Sequence, residues 1–143
     1  MPANICVPLF KGGEKNVTVR TTAAVVGKTF GSISANIQSG PELTVATLPA
    51  TYDGGNFQAA TCGTGLKPDG VFAYDVVSGD VVPLIRQQGG AIVPVTSGAA
   101  ITAGAEVEVG AAGKVITLAT GKVAGKATTT AAGANVDCYV ELY

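Results

Sequence analysis

Within VVGKTF, the tripeptide Gly27-Lys28-Thr29 has the ending of a phosphate-binding loop, a lysine for phosphate oxygens and a hydroxyl for a magnesium ion. Such a loop also needs a glycine five residues ahead of Gly27, so that backbone N–H groups can curl round the phosphates, and position 22 is Thr22. It must then open a helix, yet FGSISANIQSGP spaces Phe30, Ile33 and Ile37 in no helical rhythm before Pro41. A Gly-Lys turn between two strands explains more of the neighbourhood than nucleotide binding does.

The remaining chemistry-bearing residues are scattered. Cys6, Cys62 and Cys138 are widely spaced, form no CxxC pair and have no histidine beside them anywhere in the chain, which gives a zinc site of about four ligands poor support. Alternation in VDCYVEL turns Cys138 inward as a reduced thiol, and Cys62 sits in the glycine-rich TCGTG with no base nearby to activate it. Glu106 and Glu108 lie about 6.5–7 Å apart along one strand face, room for a water between carboxylates, but alternation points both to solvent. Lys114, in the GAAGK hairpin, occupies the kind of turn on which biotinyl and lipoyl domains carry their modified lysine, without the flanking Met or Asp and Ala of those domains. No enzyme activity, metal or cofactor is expected.

Composition narrows the classes further. A chain of 143 residues makes one domain, able to bury about two-thirds of its unfolded surface. Hydrophobic residues reach 47%, but aromatics are only 6%, tryptophan is absent and there are 20 glycines, so the core is built from small side chains and shared burial between subunits is expected. Charged residues are 13% and the net charge is −1, with the nine Lys and Arg dispersed, which argues against nucleic acid as a partner. MPANICVPLF has neither the basic start nor the apolar run of a signal peptide, and no span of 18 apolar residues suggests a membrane partner. A soluble product of the cytosol is expected.

The elements that must position these residues read as strands. NVTVRT puts Val17 and Val19 on one face and Asn16, Thr18 and Arg20 on the other. AEVEVG turns Ala105, Val107 and Val109 inward, Ala111-Ala112-Gly113 makes a turn, and Ile116 and Leu118 are expected to resume the inward face. NVDCYVELY places Val136, Cys138, Val140 and Leu142 inside. Pro83 and Pro94 cannot donate to a ladder and suggest edges or bulges. Short strands with frequent turn signals predict an all-β fold, a small antiparallel β-barrel or β-sandwich.

Two segments also resemble each other. Gly70-Val71-Phe72-Ala73, Asp75-Val76-Val77, Gly79 and DVVPLI parallel Gly125-Lys126-Ala127, a Thr/Ala stretch, Gly133 and NVDCYVEL, with one residue of slippage. By the same comparison, Gly27-Lys28 and Gly125-Lys126 are expected to be one kind of corner used twice. Residues 1–14 read as an extended N-terminal arm carrying the apolar patch Val7, Pro8, Leu9 and Phe10, ahead of a single β-rich domain over 15–143. Residues 39–69 read as a long loop insertion, an excursion whose strand ELTVATL is short and which a partner or neighbouring subunit should order.

From AIVPVT to the final tyrosine, the order IVPVT, ITAGAEVEVG, a GK turn, VAGKA, and a closing glycine turn and strand is similar to head decoration (capsid cement) proteins of tailed bacteriophages, especially those of actinobacteria. NVTVRTTAAVVGKTF and GVFAYDVVSGD match more loosely, and together these cover roughly two-thirds of the chain, whereas 39–69 departs from the compact family pattern. The resemblance implies a β-rich virion protein, often a homotrimer, that binds the outer capsid surface, contacts the major capsid protein and does no chemistry. Val7, Pro8, Leu9 and Phe10 are the capsid-contact candidates, as an added strand along a capsid edge. The alternatives are a tail or head-fibre β-barrel subunit and a small carrier or ligand-binding barrel.

Overall fold

The structure, a computed structural model, describes residues 4–8, 16–35, 57–86 and 90–143. Its β-strands are β1 (Val17–Thr21), β2 (Phe30–Ala35), β3 (Phe57–Thr61), β4 (Gly70–Phe72), β5 (Val81–Ile85), β6 (Ile92–Thr96), β7 (Glu106–Val109), β8 (Val115–Thr117), β9 (Gly125–Ala127) and β10 (Asp137–Leu142). The all-β expectation holds. The first five strands close a barrel in the order β1-β3-β2-β4-β5, and the last five form a sheet in the order β6-β10-β9-β7-β8. Ladders are antiparallel except between β1 and β3, which run parallel.

These two halves are one design used twice. β1 pairs with β5 and β2 with β4 in the first; β6 pairs with β10 and β7 with β9 in the second. Between the paired strands, isolated bridges join Val25 to Val76 and Ile101 to Ala131. A parallel bridge from Ser97 to Val115 stands where β1 and β3 have their ladder. Loop hydrogen bonds repeat as well: the Thr21 N–H donates to the Asp80 carbonyl and Gly79 N–H to the Thr21 carbonyl, as Ser97 does with Val136 and Asn135. The resemblance between 70–85 and 125–142 is therefore a true structural repeat.

The repeat corrects one expectation. Gly125-Lys126 lies inside β9, aligned with Gly70-Val71 of β4, so it is strand and not corner. The counterpart of the Gly27-Lys28 corner is Ala103-Gly104: Lys28 N–H donates to Phe72 O, and Gly104 N–H donates to Ala127 O. Lys28 has φ 61° and Gly104 φ 89°, so both corners use the left-handed region.

The hairpins β2–β3 and β7–β8 also correspond. In the second half residues 110–114 close it, with Ala112 (φ 56°) and Gly113 (φ 70°) turning the chain where the sequence predicts. In the first half the connection is residues 36–56, so 39–56 of the expected excursion lie outside the described residues, while Phe57–Thr61 is a barrel strand between β1 and β2. Pro94 lies on the edge strand β6 as expected, whereas Pro83 lies within the closed barrel.

Alternation along each strand builds two cores. Val19, Val25, Ala59, Phe72, Val82 and Leu84 fill the barrel. Their neighbours Phe30, Val71 and Ile85 point outward and join Val93, Val95, Val107, Val109, Val115, Cys138, Val140 and Leu142 in a second cluster that is continuous across the halves. β4 is thus buried on both faces. Three phase expectations fail. Val115 is the inward residue of β8 while Ile116 is half-buried on the other face, because Val115 pairs with Val109 and Ile116 with Glu108. Val136 is 41% exposed because β10 starts only at Asp137. Glu108, expected in solvent, is 4% exposed.

Candidate functional site

The corner at Gly27 receives the N-terminal segment. A Cβ on Gly27 would lie 2.0 Å from the Asn4 carbonyl oxygen and 2.7 Å from Tyr74 Cα, so only glycine fits there. Gly27 N–H donates to Asp75 Oδ1 at 2.8 Å, and Asn4 Nδ2 donates to both Asp75 oxygens at 3.0–3.1 Å. Two residues on, Cys6 N–H donates to the Ala73 carbonyl at 2.6 Å and its thiol to the Pro94 carbonyl at 3.5 Å. Ala73 belongs to the first half and Pro94 to β6, so the segment crosses their junction.

Lys28 and Thr29 both find partners within the chain. Lys28 Nζ pairs with Asp137 Oδ2 at 2.8 Å, and Thr29 Oγ1 donates to Val26 O at 2.6 Å. The Lys28 carbonyl accepts from Thr96 N–H. The lysine therefore ties the first half to the second, and Gly27-Lys28 is a turn between β1 and β2, as the flanking residues suggest.

All three thiols are free and buried. Burial pushes the Cys6 thiol up to about 12, with nearby Lys28 acting in the opposite sense. Burial likewise raises Cys62, partly offset by a Ser32 hydrogen bond, and Cys138, partly offset by Thr129. A thiol held protonated is a poor nucleophile. Glu108, in place of a solvent-facing partner for Glu106, accepts from Ala119 N–H at 3.0 Å and Gly121 N–H at 2.6 Å through Oε2. It holds the β8–β9 connection, a role invisible to strand alternation because its donors are backbone groups. Lys114 Nζ donates to Asn135 Oδ1 at 2.6 Å.

Among the described residues no group of three or more His, Cys, Asp or Glu is arranged to hold a metal. A small cleft of about 180 Å³ is lined by Lys67, Pro68, Asp69, Arg86 and Tyr143. The Lys67 ammonium there donates to the Val123 and Tyr143 carbonyls, both at 3.0 Å, and so bridges the halves. Of the capsid-contact candidates, Val7 is 66% exposed and Pro8 half-buried, while Leu9 and Phe10 lie outside the described residues. Sequence reasoning missed Asn4 and Cys6 as docking residues; the signal available was a glycine at position 27 that the turn alone does not require.

No family model matches the chain, and comparison with curated proteins finds no match. Among solved structures, the fold is similar to the N base of the head fiber gp8.5 of bacteriophage phi29, with a TM-score of 0.66 and 17% identity over 97% of this chain and 95% of that one. The likeness covers both halves of this chain.

Proposed function

We propose that this chain is a structural protein of a tailed-phage virion that binds the outside of the head and stabilises it, in the manner of a decoration protein. The observation that carries the reading is the whole-length likeness to a head-fiber base, with both five-stranded units covered. The order of strand and turn elements in the second half supports it independently. The partners are the major capsid protein and further copies of this chain in a homotrimer, and many weak contacts on a repeating shell add up when one trimer engages several sites. Val7, exposed beside the junction, is the described capsid-contact candidate. The protein does no chemistry in this reading.

A second reading, that the chain is the foot of a head fibre, is favoured by the description of the structural neighbour. Co-sedimentation of the purified protein with mature, undecorated heads of its phage tests the first reading, with stoichiometry scored on a gel. Saturable binding at a fixed ratio to the major capsid protein, in hundreds of copies per head, supports decoration. Saturation at a few tens of copies favours a fibre foot, and no binding to heads by a folded protein overturns both.

A further inference from the structure

We infer that the groove formed by Gly27, Ala73, Asp75 and Pro94 is a receiving site for a chain segment, and that residues 4–8 are its resident ligand, a clasp that locks the two halves together. The groove is built for this occupant. Gly27 has no Cβ where the Asn4 carbonyl lies 2.0 Å from the space one would fill, and Asp75 meets the Asn4 amide with both oxygens. Ala73 supplies a carbonyl to the Cys6 N–H, and Pro94 supplies one from the neighbouring half to the Cys6 thiol. Cys6 is 5% exposed and belongs to the core cluster that spans both halves.

The repeat provides an internal control. In the second half, Ala103 stands in place of Gly27, and its N–H donates to Thr130 Oγ1 where Gly27 uses Asp75. The backbone geometry is kept, but a methyl group occupies the approach that Asn4 uses. Glycine and aspartate thus mark the half that carries a clasp. The ligand class follows: a short segment whose amide-bearing residue sits in the left-handed region (Asn4, φ 53°), then, two residues on, a small apolar side chain facing the junction. Ile5 and Val7 flank the buried Cys6 and are 46% and 66% exposed, so docking of the segment presents them outward.

The clasp does not depend on the virion reading, and its test needs no phage. In full-length protein, Cys6→Asp disables the ligand and Gly27→Val blocks the groove. Both are expected to lower the melting temperature, and the capped peptide Asn-Ile-Cys-Val-Pro is expected to raise it again, saturably, for Cys6→Asp alone. No rise with Cys6→Asp, or an equal rise with Gly27→Val, overturns the proposal. Should either variant fail to fold, the wild-type chain decides: native Cys6 is expected to alkylate at least about a hundredfold more slowly than in urea, and faster when excess peptide displaces the clasp. Alkylation of native Cys6 at the unfolded rate, or a rate indifferent to the peptide, sinks it.

Discussion

In the first half, Phe30, Val71 and Ile85 project outward from β2, β4 and β5 and are at most 5% exposed. In the second half the same positions hold Glu106, Lys126 and Glu141, of which the first two are exposed and paired across β7 and β9. The backbone plan is common, so what differs is whether anything covers that face. The first half has its face covered by the second, and the second presents charge, which leaves no apolar face there to recruit a third unit. A duplicated fold has thus been made into a closed pair.

Inside the units the exchange is one of volume. Gly31 on β2 faces Phe72 on β4, and a Cβ on Gly31 would fall 2.5 Å from the Phe72 ring. The second half places Val107 and Ala127 at these positions, so the large and small residues have changed strands while the space stays filled.

The strongest way to break the comparison is to charge each core at its equivalent position. Leu84 and Val140 correspond and both are fully buried. An unpaired carboxylate there costs a large part of a domain's total stability, which is of order 5–15 kcal/mol. Since one cluster spans both halves, Leu84→Asp and Val140→Asp are each expected to unfold the whole chain in a single transition by circular dichroism. Protected β10 amides surviving in Leu84→Asp would show instead that the halves fold independently.

A smaller effect compares the hydroxyls that close each unit. Thr21 Oγ1 donates to Val77 O at 2.9 Å and Asp80 O at 3.2 Å. Ser97 Oγ donates to Gly133 O at 2.6 Å and also accepts from Val136 N–H at 3.2 Å. Replacing either by alanine strands buried polar groups, at about 1–2 kcal/mol each in urea unfolding, with Ser97→Ala the costlier because a donor is orphaned too. Equal losses would mean that the extra bond carries no net weight.

Much of this plan was legible in the residues. Alternation in NVTVRT and DCYVEL located β1 and β10 with their inward faces, and the parallel between 70–85 and 125–142 exposed half of the repeat. The other half was hidden because Phe30, Val71 and Ile85 align with Glu106, Lys126 and Glu141, so the equivalent positions have opposite chemistry. The residues 36–56, against 110–114, further masked the matching hairpins. Glu108 misled for a different reason: a carboxylate on an alternating strand reads as exposed unless its backbone partners, Ala119 and Gly121, are already in place. The junction was illegible since Asn4, Gly27 and Asp75 meet only in three dimensions.

The clasp has no counterpart in the second half, and alkali should single it out. Cys6 titrates at about 12 in the folded chain against an ordinary value of 9.0. Between these values the unfolded chain loses the proton first, so stability is whole below pH 9 and falls as pH rises towards 12. The loss is roughly 1 kcal/mol by pH 10, with Cys62 and Cys138 adding in the same sense. Cys6→Ala is expected to flatten the decline in melting temperature between pH 8 and 10; an unchanged slope would remove Cys6 from its causes.

The finest comparison lies at the two corners. Lys28 adopts φ 61°, which costs a side-chain-bearing residue about 1 kcal/mol, whereas Gly104 holds φ 89° freely. Lys28 is offset by its ion pair with Asp137, partly exposed on both sides and so worth well under about 1 kcal/mol. Lys28→Gly should therefore leave stability within about 0.5 kcal/mol of wild type, relief of the backbone balancing the lost pair and the looser unfolded chain. Lys28→Ala keeps the strain and loses the pair, so it should fall below Lys28→Gly. Gly104→Ala introduces strain with no pair to offset it, and belongs lowest of the three. If Lys28→Gly and Lys28→Ala instead fall equally far below wild type, the ion pair with Asp137 is the stronger contributor, and the charge at this corner, more than its backbone, holds the first half to the second.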